Sequence, residues 1–209
     1  AVAELVANAY DADATRVEVR IGVDRSIAVV DDGHGMSRDE VADKYLHIGR
    51  NRRRAEQSVM TESGKRRVSG KKGLGKLALF GIGRVVEVTT TRMGSPYGTR
   101  ITMSYQDLID SDGDYRPAEE SLLVDGGEHG TKVVLTDLRR KTPIDPEKLA
   151  TSLSRLFNYT DDDFRLIVVD SKSGETEVSR ERRLESLDQE FTWRFPNDFG
   201  DDDSFLVEH

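Results

Sequence analysis

Ser26-Ile-Ala-Val-Val-Asp31-Asp-Gly33-His-Gly35-Met36 is an apolar run that stops on a carboxylate and two closely spaced glycines. The run reads as a strand, and the glycines let the backbone approach a flat ligand closely. Asp31 closes that strand and can offer a hydrogen-bond acceptor there, although a plain strand-to-helix turn has the same D-x-G-x-G spelling. Upstream, Arg16-Val-Glu-Val-Arg-Ile21 alternates with period two and reads as a second strand, paired with the first through the turn around Asp24 and Arg25. Before it, Val2, Leu5, Val6 and Ala9 recur at helical spacing, which gathers Glu4, Asn8 and Asp11 on another face.

Downstream, Ser37 followed by Glu40 suits a capping box, with a helix running on through Tyr45 and Leu46. Residues 49 to 72 carry little apolar periodicity and read as a long loop, a length that is usually functional or disordered in a compact domain. Leu74, Leu77, Ala78, Phe80 and Ile82 then suggest a short helix ending near Gly81 and Gly83. Strands read at 85–91, 99–103, 122–124 and 131–136, followed by a helix at 147–157 and a strand at 164–169. Helices lie mainly in the first half and strands in the second, which predicts an α+β sandwich. Pro143 and Pro146 place a domain boundary near 142.

The chain has 209 residues, 36% hydrophobic and 33% charged, with no cysteine, five prolines and a net charge of −8. That is the composition of a globular protein with a heavily charged surface. No run of about 18 apolar residues exists, so no membrane span is expected. Without cysteines there are no disulfides or thiolate metal sites, which is compatible with a cytoplasmic location. The acidic balance argues against a domain that coats nucleic acid all over, yet residues 50 to 76 are strongly basic, and a polyphosphate or nucleic-acid backbone would favour them. A solvated loop accounts for the same charges. The chain starts at Ala1 with a helix at once, so native sequence is expected to precede it.

Gly70-Lys-Lys-Gly73-Leu-Gly75-Lys76 presents successive amides at a helix start, a favourable place for phosphates. It nearly spells G-x-x-x-x-G-K-[ST], but Leu77 stands where a metal-binding hydroxyl is required, and no apolar strand leads into Gly70. Asp110-Ser-Asp112-Gly-Asp114 has its glycine misplaced for a calcium loop.

Taken in order, E-x-x-x-N at Glu4 and Asn8, D-x-G-x-G at Asp31, the glycine-rich Gly70 to Lys76 and Gly130-Thr131 resemble the ATP site of the GHKL family. That family unites DNA gyrase B, the heat-shock chaperone of ninety kilodaltons, histidine kinases and MutL. The resemblance covers roughly residues 1 to 140. It implies a two-layer α/β sandwich of the Bergerat type, with a mixed, mostly antiparallel sheet and helices on one face. It implies ATP and Mg²⁺ as cofactors. Asn8 would ligate the metal and Glu4 would act as general base or water-orienter. Asp31 would accept the adenine amine, with Gly33, Gly35, Met36 and Thr131 around the base. Gly70, Gly73, Leu74, Gly75 and Lys76 would receive the phosphates, and Asp11 would complete the pocket. Asp32 and His34 fall at positions the family leaves variable, and His34 is expected to be a solvated loop residue.

A glutamate at position 4 resembles the hydrolysing branches more than the histidine kinases. Tyr45-Leu-His-Ile-Gly49-Arg50 and the stretch from Gly70 to Gly81 look most like microrchidia-type ATPases and their bacterial relatives, with the chaperone branch next. The expectation is an ATP-binding domain over residues 1–142 with a lid at about 48–72, and over 143–209 a linker helix and the incomplete start of a transducer-like domain. Such an arrangement implies slow Mg²⁺-dependent ATP hydrolysis, lid closure and ATP-dependent homodimerisation. Two alternatives stay open: a nucleotide-switched interaction module that does not hydrolyse, and the ATPase subunit of a DNA-acting machine whose basic lid touches DNA.

Overall fold

The computed structural model describes residues 1–43, 60–68, 78–111, 115–125, 127–157 and 163–185. Alternation along the strands decides which side of the sheet is buried. On β1 (Arg16–Ile21) Val17, Val19 and Ile21 are buried, whereas Arg16, Glu18 and Arg20 project from the other face. There the Glu18 carboxylate is bracketed by Arg16 at 2.8 Å and Arg20 at 2.7 Å. The buried phase continues through Ile27 and Val29 on β2 (Ile27–Asp31), Val86 and Val88 on β3 (Gly83–Thr91), and Ile101 and Met103 on β4 (Tyr97–Ser104). It ends with Val133 and Leu135 on β6 (Gly130–Leu138) and Leu166 and Val168 on β7 (Arg165–Asp170).

With β5 (Ala118–Leu123) and β8 (Gly174–Glu177), these strands form one eight-stranded sheet in the order β5-β4-β3-β6-β2-β1-β7-β8. Every neighbouring pair is antiparallel except β1 and β7, which run parallel. The mixed, mostly antiparallel α+β architecture is therefore as expected. Strand β5 starts earlier than the apolar run at 122–124 indicates, because Glu119, Glu120 and Ser121 ahead of that run are exposed and polar.

Helix α1 (Val2–Asp11) lays Leu5, Val6 and Ala9 on the buried face, each worth up to about 1.5–3 kcal/mol for the larger side chains. It stops where Asp13 turns to φ 58° and the Ala14 N–H reaches back to the Ala9 carbonyl at 3.1 Å. The short α2 (Arg38–Val41) has the capping box read from Ser37 and Glu40; its expected run through Tyr45 and Leu46 lies outside the described residues. Helix α3 (Tyr105–Asp110) follows β4, and its Tyr105 ring packs on Phe80 at 5.9 Å.

The connection that holds the expected boundary near 142 leads back to the same sheet. Helix α4 (Pro146–Leu156) begins with proline in its first turn, and its N-cap Asp145 accepts the Lys148 N–H at 3.1 Å. It buries Ala150 and Leu153 in the core that also holds Val6, Val17 and Leu79. Strand β7 then lies beside β1 in register from Arg16↔Arg165 to Ile21↔Asp170. A final short helix, α5 (Arg180–Glu185), follows β8.

Candidate functional site

At one end of the sheet the buried row changes from aliphatic to polar. Ile27 and Val29 are followed in phase by Asp31, Val86 and Val88 by Thr90, and Leu135 and Val133 are preceded in phase by Thr131. The register sets these three side by side: Asp31 faces Thr131 across β2 and β6, and Thr131 faces Thr90 across β6 and β3. Directly opposed residues project from the same face of a sheet. A carboxylate and two hydroxyls thus occupy core positions at the end of three adjacent strands.

Asp31 is largely buried, and burial pushes its pKa up to about 6. Backbone N–H groups of Gly33 and Thr131, donating to Oδ1 at 3.0 and 3.2 Å, oppose the rise but do not cancel it. Oδ2 has no hydrogen-bond partner among the described residues. A buried carboxylate oxygen left this way is a waiting acceptor, because desolvating it without a donor is costly.

The loop beyond Asp31 is held by its backbone. Gly35 sits at φ +63°, and a Cβ on it would lie 1.9 Å from the Thr91 carbonyl oxygen. Gly130 sits at φ +123°, where a Cβ would lie 2.1 Å from the Asp31 carbonyl oxygen. Both close approaches exclude any side chain. The Met36 N–H donates to Thr90 Oγ1 at 3.0 Å, and the Met36 side chain is buried in the core. The C-terminal end of α1 abuts this loop through the His34 N–H, which donates to the Ala12 carbonyl at 2.9 Å. Asn8 lies one turn before Ala12 on α1. Asn8 and Glu4 stand off the face that buries Leu5, Val6 and Ala9, and their side chains make no hydrogen bond to the described residues.

Thus Asp31, Gly33, Gly35, Met36 and Thr131 are assembled at one end of the sheet, with α1, which bears Glu4, Asn8 and Asp11, packed against them. Gly70, Gly73, Leu74, Gly75 and Lys76 lie outside the described residues, as does most of the expected lid. The part of that lid at 60–68 is a turn closed by a bridge between Met60 and Arg67. Ser63 donates to Asp13 through its N–H at 2.8 Å and its hydroxyl at 2.7 Å. Arg66 donates to the carbonyls of Ala14 at 2.7 Å and Asp163 at 2.6 Å, and its guanidinium lies 4.7 Å from the Tyr10 ring centre. Arg66 is therefore engaged by the protein itself and is not one of a free basic stretch.

Three contributors escaped the sequence reading. Asp32 does not face the site; its Oδ1 accepts the N–H groups of Thr15 and Arg16 at 2.7 and 2.8 Å, fixing the start of β1. His34 is not simply solvated. Its Nδ1 lies 2.7 Å from the Gly35 carbonyl and 2.8 Å from the Arg92 guanidinium, which also pairs with Glu62. Thr90 hid within Thr89-Thr-Thr91, where only its phase with Val86 and Val88 marks it as buried.

Among the described residues no three His, Cys, Asp or Glu side chains gather to hold a metal ion, and no helix is long and apolar enough to cross a membrane.

The chain is 38% identical over 171 residues to a putative type II restriction enzyme, HgiDII, of Herpetosiphon aurantiacus, covering 79% of this chain and 27% of that protein. It is 37% identical over 153 residues to the DNA mismatch repair protein MutL of Halobacterium salinarum, covering 68% of this chain and 20% of that protein. The chain therefore spans about a quarter or less of the length of these relatives. Among solved structures it is similar to the Aquifex aeolicus MutL ATPase domain complexed with ADP, with TM-score 0.49 and 18% identity, over 87% of this chain and 64% of that one. The family model described as histidine kinase-, DNA gyrase B-, and HSP90-like ATPase matches residues 1–131, the span that carries α1, the Asp31 loop and Gly130-Thr131, and the chain belongs to that family.

Proposed function

We propose that this chain binds ATP at the Asp31 end of the sheet and hydrolyses it slowly with Mg²⁺. The observation that supports this most is Asp31 itself, a buried carboxylate with one oxygen pinned by two backbone N–H groups and the other without a partner among the described residues. That acceptor suits the exocyclic amine of adenine. Asn8 would hold the metal together with phosphate oxygens, and Glu4, one turn earlier on the same helix face, would orient or deprotonate the attacking water. When bound, Mg²⁺ neutralises phosphate charge. Gly70, Gly73, Leu74, Gly75 and Lys76 receive the phosphates, and the lid at about 48–72 closes over the nucleotide and brings two copies together. Because α4, β7 and β8 share the sheet and core of residues 1–142, a transducer-like domain on this reading follows the sheet and supplies further catalytic groups from beyond it.

Calorimetric titration with ATP and Mg²⁺, and with a non-hydrolysable analogue, tests the site. Binding that weakens in both Asp31→Asn and Asn8→Ala is the expected result. Tight binding unaffected by either substitution would remove the site from this end of the sheet.

We further infer that the larger protein acts on DNA. The support is that the relatives named above are a mismatch repair protein and a putative restriction enzyme. DNA that raises the ATPase rate in a salt-sensitive way is expected, with loss of that response when Arg52, Arg53 and Arg54 are neutralised. A rate indifferent to DNA at low salt would refute the inference.

A further inference from the structure

Thr90 is 2% exposed and its hydroxyl touches three groups. It accepts the Met36 N–H at 3.0 Å, lies 3.0 Å from the Gly130 carbonyl oxygen, and lies 3.0 Å from the Thr131 hydroxyl. A threonine hydroxyl has one hydrogen and two acceptor positions. The Gly130 carbonyl can only accept, so the Thr90 hydrogen goes there. The Met36 N–H fills one acceptor position of Thr90, and the Thr131 hydroxyl, donating, fills the other. Any other assignment leaves two oxygens facing each other at 3.0 Å without a hydrogen between them.

With its hydrogen committed to Thr90, Thr131 has only lone pairs left to offer. Its neighbour in the row, Asp31, likewise offers the lone pairs of Oδ2. We propose that Thr90 is a positioning residue that fixes the Thr131 hydroxyl as an acceptor, so that the pocket reads a 6-amino purine and rejects a 6-oxo purine. An exocyclic amine brings two N–H groups to the two acceptors. A keto oxygen would bring a third set of lone pairs to a buried site, and unpaired polar groups discriminate strongly. This rests on the nucleotide site proposed above and adds to it a residue that never touches the ligand.

The test is titration of the chain with ATP and with inosine triphosphate, comparing wild type, Thr90→Val, Thr90→Ser and Thr131→Val. Wild type prefers ATP, and Thr90→Val frees the Thr131 hydroxyl to turn and donate, so the ATP to inosine triphosphate preference narrows by about tenfold, roughly the worth of one such hydrogen bond. Thr90→Ser keeps the hydroxyl and keeps the preference, which a purely packing role would not predict. Thr131→Val narrows the preference without disturbing the Met36 and Gly130 contacts, and it decides the matter if Thr90→Val does not fold. Equal weakening of both nucleotides in folded Thr90→Val, an unchanged preference in Thr131→Val, or a wild type without preference would each overturn the proposal. A wild type that binds neither nucleotide would instead overturn the nucleotide site, and the role of Thr90 with it.

Discussion

Asp31 and Thr131 oppose each other across β2 and β6, and the Thr131 N–H donates to Asp31 Oδ1 at 3.2 Å. The pairing explains how a carboxylate occupies a position that continues the phase of Ile27 and Val29. Two backbone donors retain it there, yet they do not repay its desolvation, and its pKa stands at about 6 against an ordinary 3.8. The site is maintained at a cost to the fold.

That cost gives a pH-dependent prediction. The folded state holds the Asp31 proton more tightly than the unfolded state, so the associated stability is full below about pH 3.8 and is lost as pH rises through about 6. At pH 7.5 the ionised group costs on the order of 2–3 kcal/mol. Asp31→Asn removes the charge and keeps an oxygen for both backbone donors. It should be more stable than wild type in urea at pH 7.5, with the difference shrinking toward zero near pH 4, and it should bind ATP poorly. A variant less stable than wild type at pH 7.5 would show that the carboxylate is better solvated than its surroundings indicate.

Gly130→Ala should fail in both stability and binding. Gly130 has φ +123°, and the added Cβ would sit 2.1 Å from the Asp31 carbonyl oxygen, so β2 and β6 must part at the place where they present Asp31 and Thr131. Backbone strain of about 1–3 kcal/mol adds to the clash. Urea unfolding should show a loss of about 3 kcal/mol or more. A wild-type midpoint would mean that the strands can separate without penalty.

Arg66 ties the turn at 60–68 to two distant parts of the chain. Its guanidinium donates to Ala14 and Asp163 and lies over the rings of Tyr10 and Phe164, at 4.7 and 5.5 Å from their centres. Arg66→Ala should cost about 2 kcal/mol, and Arg66→Lys should recover little, because an ammonium lacks the planar fork that serves separate carbonyls while stacking on rings. Full recovery by lysine in thermal unfolding would reduce the contact to a point charge.

Much of this was legible in the residues because most of the sheet buries one face. Alternation in Arg16 to Ile21 reports burial directly, the apolar runs at Ile27 to Val30 and Val133 to Leu135 mark strands, and the glycines around Asp31 report close backbone approach. What stayed hidden depends on register between distant strands. Nothing local to Thr90 says that it meets Thr131, 41 positions away, or that Arg66 reaches Asp163, 97 positions away. Asp32 was passed over because the two adjacent carboxylates point to opposite faces of the sheet, one to the site and the other to the Thr15 and Arg16 amides. The return of the chain to the sheet through β7 was equally hidden, since Phe164 to Val169 reads as a strand but carries no mark of its parallel partner β1.

Glu4 separates an ATPase from a nucleotide-operated switch. It shares α1 with Asn8, four residues on, and stands off the helix face formed by Leu5, Val6 and Ala9, so its removal should leave the fold intact. In Glu4→Ala, affinity for ATP should stay within about threefold of wild type while turnover falls by roughly 100-fold or more, the range lost with a positioned general base. Glu4→Gln should behave the same way, because an amide fills the space and can still touch water but cannot take its proton. If instead Glu4→Gln keeps most of the turnover, the carboxylate only orients water. If neither variant changes a measurable turnover, the hydrolysis belongs to another group; if wild type binds ATP with no turnover to lose, the chain acts by binding nucleotide alone.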